Sequence, residues 1–210
     1  SGGVPASGVT AVVLNVTVTA PTARGFLSVT PTGSFSTSNL NFVPEETVAG
    51  LVIVPVGPDG SVRYTLGFGT AHVVADVFGW FADPGSVTAS VLTSVEPARL
   101  ADTRDHPGSP LGPQESGILP IAGEGGVPEA GVESAVINLT VDQPTAPSYL
   151  AATPDGAPGT SNLNFVAGQT VANLAIVPLL PEDGAIDIFN FAGEVHVIVD
   201  VFAWFSTPAP

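Results

Sequence analysis

The stretch Ser38-Asn39-Leu40-Asn41-Phe42-Val43 returns letter for letter as Ser161-Asn162-Leu163-Asn164-Phe165-Val166. Downstream of it, Thr47-Val48-Ala49 matches Thr170-Val171-Ala172. Upstream, Gly3-Val4-Pro5 and Leu14-Asn15-Val16-Thr17 match Gly126-Val127-Pro128 and Ile137-Asn138-Leu139-Thr140, all at a shift of about 123 residues. After one inserted residue near Glu182, His72 to Phe81 and His196 to Phe205 share the pattern His-Val-x-x-Asp-Val-Phe-x-Trp-Phe. Blocks repeated in the same order at nearly constant spacing mean that one unit was duplicated.

The runs between these blocks tell what kind of unit it is. Ala11 to Thr19, Gly25 to Thr30, Leu51 to Val56, Ser61 to Leu66 and His72 to Phe81 are rich in Val, Ile, Thr and Phe, with Gly, Pro and Asp between them. They read as short strands. Asp59-Gly60 and Asp183-Gly184 fall between such runs, where glycine takes a positive φ without steric cost, so each is expected to close a hairpin. No segment carries a sustained helical period flanked by caps. Strict alternation would put His72, Val74, Asp76, Phe78 and Trp80 on one face and Val73, Ala75, Val77, Gly79 and Phe81 on the other. Both faces are largely apolar, as in a central strand covered on both sides. The expected fold is all-β, with two tandem β-sandwich-like modules, closely packed and related by duplication.

The copies are unequal. Before Gly126 lies Val95 to Ile121, with Pro97-Ala98-Arg99-Leu100-Ala101-Asp102-Thr103-Arg104 inside it, whereas two residues precede Gly3. The expected division is a first module over 1–84 lacking this opening segment, a linker over 85–94 and a second module over 95–210. Either the first copy begins mid-module, the preferred reading, or one opening segment serves both copies. An open sheet edge would invite homo-oligomerisation.

Nineteen acidic residues against four arginines give a formal charge of −15, which repels phosphate backbones and anionic headgroups. Nucleic acid and membrane surfaces are therefore not expected partners, and no run approaches the ~20 apolar residues of a spanning helix. Charged residues are 11% of the chain, too few for a salt-adapted surface, so the acidity serves solubility. Without cysteine there are no disulfides or thiolate metal sites, and three histidines are a poor set for structural zinc, so no metal or cofactor is expected. The 24 glycines and 21 prolines supply turns, and the 44% hydrophobic fraction is enough to fold. The start at Ser1, without an apolar leader, fits a signal peptide removed or lying upstream.

Among residues that could carry chemistry, His72 with Asp76 and His196 with Asp200 stand at strand spacing, and Ser38 or Ser161 could complete a hydrolase triad. No Gly-x-Ser-x-Gly elbow accompanies them, so a catalytic role is not expected. Asp76 and Asp200 read instead as interior carboxylates satisfied by backbone, histidine or arginine. Arg99 and Arg104 are half of the basic residues, which points to internal pairing, Arg104 with a module aspartate being the preferred pair. Asp102, Asp105 and His106 form an oxygen-rich cluster without a calcium-loop spacing. Asn39, Asn41, Asn162 and Asn164 alternate with apolar residues, and their amides could bond strand-end backbone or read sugar hydroxyls. Trp80, Trp204, Tyr64 and Tyr149 are the candidate aromatic platforms, if exposed. The sequons at Asn15 and Asn138 fall inside expected strands.

Taken together, the Pro97-x-Arg99-x-x-Asp102-Thr103-Arg104 opening, the Gly-Val-Pro entry, the Leu-Asn-Val-Thr strand, Ser-Asn-Leu-Asn-Phe and the closing His-Val-x-x-Asp-Val-Phe-x-Trp-Phe resemble extracellular repeats of actinobacteria. Such repeats accompany secreted hydrolases, including cell-wall amidases and proteases. The resemblance spans Val95 to Phe205 and, without the opening segment, Gly3 to Phe81. It implies secretion and an accessory, non-catalytic role, and it carries over no catalytic residue. The expected function is binding of a polysaccharide or cell-wall glycan through Trp80, Trp204 and the asparagine pairs, recognisable by a shallow aromatic groove once per module. The alternative is a structural or adhesive spacer.

Overall fold

The computed structural model of the protein describes residues 3–34, 37–82, 90–105, 110–156, 159–180 and 182–207. Among the described residues every regular element is a strand. The first compact unit, Ser1–Ala89, holds β1 (Val9–Thr19), β2 (Gly25–Thr30), β3 (Leu40–Phe42), β4 (Val48–Pro55), β5 (Arg63–Leu66) and β6 (His72–Ala82). The second unit, Ser90–Pro210, holds β7 (Val91–Asp102), β8 (Glu115–Pro120), β9 (Ser134–Asp142), β10 (Ser148–Thr153), β11 (Leu163–Phe165), β12 (Val171–Pro178), β13 (Ala185–Asn190) and β14 (His196–Ser206). Strand β7 begins inside the expected 85–94 linker, because Val91 to Ser94 pair with Ser206 to Ala203 of β14. Residues 85–89 of that stretch, His106 and the end of the C-terminal tail from residue 208 lie outside the described residues.

Each unit is a pair of antiparallel sheets. The first has the orders β4-β1-β6 and β3-β2-β5, and the second has β12-β9-β14-β7 and β11-β10-β13-β8. The second unit therefore repeats the first strand for strand and adds β7 to one sheet and β8 to the other, on the same side of the sandwich. Both added strands come from the segment that precedes Gly126. The core of the first unit brings Leu14, Val16 and Val18 of β1 against Leu27 and Val29 of β2, Leu40 and Phe42 of β3, and Val52 and Val54 of β4. Each such side chain contributes roughly 1.5–3 kcal/mol when fully buried. Ile137, Leu139, Val141, Leu150, Leu163, Val177 and Ile186 do the same in the second unit.

Two expectations from local sequence are corrected. Asp59-Gly60 and Asp183-Gly184 do form turns, with Gly60 and Gly184 at φ 75° and 58°. The strands on either side, however, belong to different sheets: β4 and β12 stay in one layer while β5 and β13 cross to the other. A tight turn fixes a reversal of direction, whereas the partner is chosen by which layer has an edge to offer. The second correction concerns β6 and β14. Val13 faces Gly79 but Leu14 faces Val77, so a bulge at Phe78 resets the alternation, and Val201 and Ala203 bracket the same irregularity in β14. An extra residue in one strand flips everything beyond it. Trp80 thus joins Val73, Ala75 and Val77 on the inner face and packs against the core, opposite to Asp76, rather than sharing its face.

The closing strands also differ in surroundings. The central strand expected at His72 to Phe81 is found only in its counterpart β14, which lies between β9 and β7. Strand β6 is an edge. Its inward Val73 and Val77 are 37% and 39% exposed, whereas Val197 and Val201 at the equivalent positions are 2% and 0% exposed.

Candidate functional site

The Asp-Thr-Arg at the end of β7 builds a charged relay. Asp102, buried at 8% exposure, accepts the Arg104 backbone N–H (3.1 Å) and Arg104 Nε (2.9 Å) on Oδ1. Its Oδ2 accepts Arg104 Nη2 and Arg99 Nη1, both at 2.7 Å. Arg99 Nε continues to Asp200 Oδ1 at 2.5 Å, and Arg104 Nη1 to Asp142 Oδ2 at 3.2 Å. The Thr170 hydroxyl closes the chain by donating to Asp142 Oδ1 at 2.6 Å. The Arg104 guanidinium holds the Asp102 carboxyl well below the usual carboxylate range, and Asp102, then Asp142, push Arg104 upward in return. The Thr170 hydroxyl, then Arg104, lower Asp142. Charge-assisted bonds of this sort organise backbone. Arg104 finds its module aspartate, as anticipated.

His196 shares a face of β14 with Asp200, and its ring bonds Thr103 instead. Its Nδ1 lies 3.1 Å from the Thr103 hydroxyl, which accepts the Val197 N–H at 2.9 Å. In the first unit His72 is exposed, and Ser38 Oγ donates to Leu40 O and Asn41 Oδ1. Asp76, the counterpart of Asp200, has no ion pair among the described residues, and burial pushes its carboxyl up. No group of three His, Asp or Glu side chains able to hold a metal occurs among the described residues. Both Asp102 oxygens, which would have been calcium ligands, are taken by arginine.

The four asparagines divide into two kinds. Asn39 Oδ1 accepts the Val29 N–H and Asn162 Oδ1 accepts the Ala152 N–H, each at 2.7 Å, so the first asparagine of each copy extends a strand ladder with its side chain. This is backbone chemistry. The second asparagine points outward from its sheet. Asn41 stands opposite Phe26, and Asn164 opposite Tyr149, in matching registers.

One aromatic residue stands beside each outward asparagine and belongs to a small aromatic group. In the first unit Phe26 and Phe68 meet edge to face with centroids 6.4 Å apart, and Phe68 is 66% exposed. Arg24, Asn41, Val43 and Glu46 line a shallow hollow with them. In the second unit Tyr149 stacks on Phe191 at 5.0 Å and 16°, with the Phe189 ring tilted 6.3 Å away. The difference has a local cause. Position 67 is glycine where the second copy has Phe191, and a Cβ there would lie 2.5 Å from the Phe26 ring, so the ring occupies that space.

Sequence reasoning named Tyr149, Asn41 and Asn164 but passed over Phe26, Phe68, Phe189 and Phe191. A signal existed in the phase: Phe26 and Tyr149 precede the inward Leu27 and Leu150 and so must face out. Trp80 and Trp204, by contrast, are half-buried on inner faces beyond the bulges. No protein-family model matches the chain, and no curated protein is significantly similar to it.

Proposed function

We propose that the protein is a non-catalytic accessory module of a secreted protein and that it binds a polysaccharide or cell-wall glycan. The carrying observation is an aromatic group beside an outward asparagine, present once per module, with Phe26 and Asn41 in the places of Tyr149 and Asn164 and the other rings supplied from different positions. Phe26 and Phe68 with Asn41, and Tyr149, Phe189 and Phe191 with Asn164, each offer apolar area for a sugar face and an amide for its hydroxyls. Arg24 and Glu46 add charged hydrogen-bonding groups in the first module. The −15 charge favours a neutral or cationic glycan over an anionic one.

The test is retention of the purified chain on insoluble polysaccharides and cell-wall preparations, with Phe68→Ala and Phe191→Ala variants of unchanged circular dichroism. Retention lost stepwise in the single and double variants supports the reading. Undiminished retention in the folded double variant overturns these platforms, and no retention on any glycan leaves the structural spacer. The commitment of Asn39 and Asn162 to backbone is the observation that favours that second reading.

A further inference from the structure

The first module has an uncovered flank whose counterpart in the second module is filled. Strands β6 and β5 are the edges of its two sheets on the side where β7 and β8 complete the second module. Four inward side chains mark the gap. Val73, Val77 and Tyr64 are exposed, while Val197, Val201 and Ile188 in their places are buried, and Ala75 is exposed where Val199 is buried. Side chains aimed into a core lose water only when something lies over them. The second module shows what that cover is: Ala98, Arg99, Ala101 and Asp102 pair with Val201, Asp200, Val199 and Ile198, and Gly117 lies opposite Ile188.

The charge at this flank is also incomplete. Asp76 stands in the register of Asp200, which takes Arg99 Nε at 2.5 Å, yet among the described residues no cation pairs with Asp76. Two other positions differ. Thr19 replaces Asp142 and bonds Thr47 at 2.9 Å, and Leu66 replaces Asn190, whose Nδ2 donates to Leu111 and Gly112 carbonyls. The flank therefore retains the strand edge and the arginine-binding carboxylate and lacks the two auxiliary clamps.

We propose that the β6 and β5 edges of the first module take up an extended segment of the chemistry of residues 91–120, contributed by another module of this repeat, with its arginine set opposite Asp76. The incoming strand extends the β4-β1-β6 sheet in the register of β7, and its second strand lies along β5, where a glycine in the place of Gly117 leaves room for Tyr64. Strand addition supplies backbone bonds and the apolar pockets choose the side chains. Asp76 gives the specificity. Modules of this kind then join head to tail by sharing strands, which is independent of any glycan bound on the outer faces.

The experiment titrates a fluorescein-labelled peptide with the sequence of residues 90–122 into the full chain and follows anisotropy. Expected are saturable one-to-one binding, about tenfold weakening by Asp76→Asn, and the same weakening by Arg99→Gln within the peptide, with no further loss when both are combined. Hydrogen exchange should slow along residues 73–77. The peptide variant leaves the protein untouched and so guards against a folding defect in Asp76→Asn. No binding, or binding indifferent to both changes, overturns the proposal. So does a chain that sediments as a dimer whose β6 amides are protected by pairing of β6 with β6, since the edge then takes no segment like 91–120.

Discussion

Arg99 and Asp200 meet across β7 and β14 with Nε and Oδ1 2.5 Å apart, joining the strand that opens the second module to the strand that closes it. The Arg99 side chain is about half exposed, so the pair itself is expected to contribute about 0.5–1 kcal/mol. Arg99→Ala should lower the unfolding free energy of the second module by that amount, read as a lower denaturant midpoint at unchanged slope. Asp102→Ala should lower it further, because it strips four hydrogen bonds from two arginines and frees the end of β7. With Trp80→Phe in the background, Trp204 fluorescence reports the second module alone. Equal midpoints for both variants would refute the ordering.

Val197 and Val73 occupy equivalent inward positions in different surroundings. Val197→Ala should cost about 2 kcal/mol, since it removes methyl groups from a site at 2% exposure. Val73→Ala should cost less than half as much, because water already reaches the side chain. Urea unfolding followed separately at Trp80 and Trp204 compares the two.

Acid should act oppositely on the two modules. Asp102 and Asp142 have lowered folded values, so their contribution is present above the ordinary value of 3.8 and is lost as pH falls through the lower folded values. Asp76 is raised, so its ionisation penalises the fold above its folded value, and the penalty disappears as pH falls toward 3.8. Asp59, lowered to about 2 by Arg63, acts only below that window. Between neutral pH and 4 the first module should gain stability, and Asp76→Asn should abolish the gain. Thermal melts read at Trp80 across that range test it.

Asn162→Ala should destabilise the second module by about 1–3 kcal/mol, because the Ala152 N–H loses its acceptor in a buried place. Asn39→Ala should cost less, since water reaches Asn39. Amide exchange at Ala152 and Val29 gives the local readout.

Gly67→Ala should displace the Phe26 ring, which lies 2.5 Å from the position of the new Cβ. Glycan retention through the first module should fall while the circular dichroism spectrum stays the same. Retention unchanged in a folded Gly67→Ala variant would remove Phe26 from the platform.

The duplication, the all-β class and the strand positions were legible in the sequence because they rest on local composition and on repetition. Arg104 could be paired with an aspartate because so few cations face so many carboxylates. The placement of Trp80 and Trp204 was not legible, since a bulge is one unpaired residue whose presence depends on the neighbouring strand. The crossing of β4 to β5 was hidden for a similar reason: Asp59-Gly60 encodes a turn, and the available edge decides where the next strand goes.

Composition and repetition alone show that one unit is duplicated, that it is built of strands, and that a further segment, Val95 to Ile121, stands before the second copy. Tertiary structure decided what that segment does, because covering Val197, Val199 and Val201 requires a strand laid beside β14 and another across the sandwich beside β13. It also decided which aromatics face outward. Packing sets that choice, through the phase of each strand against its partner and the space left beside a glycine.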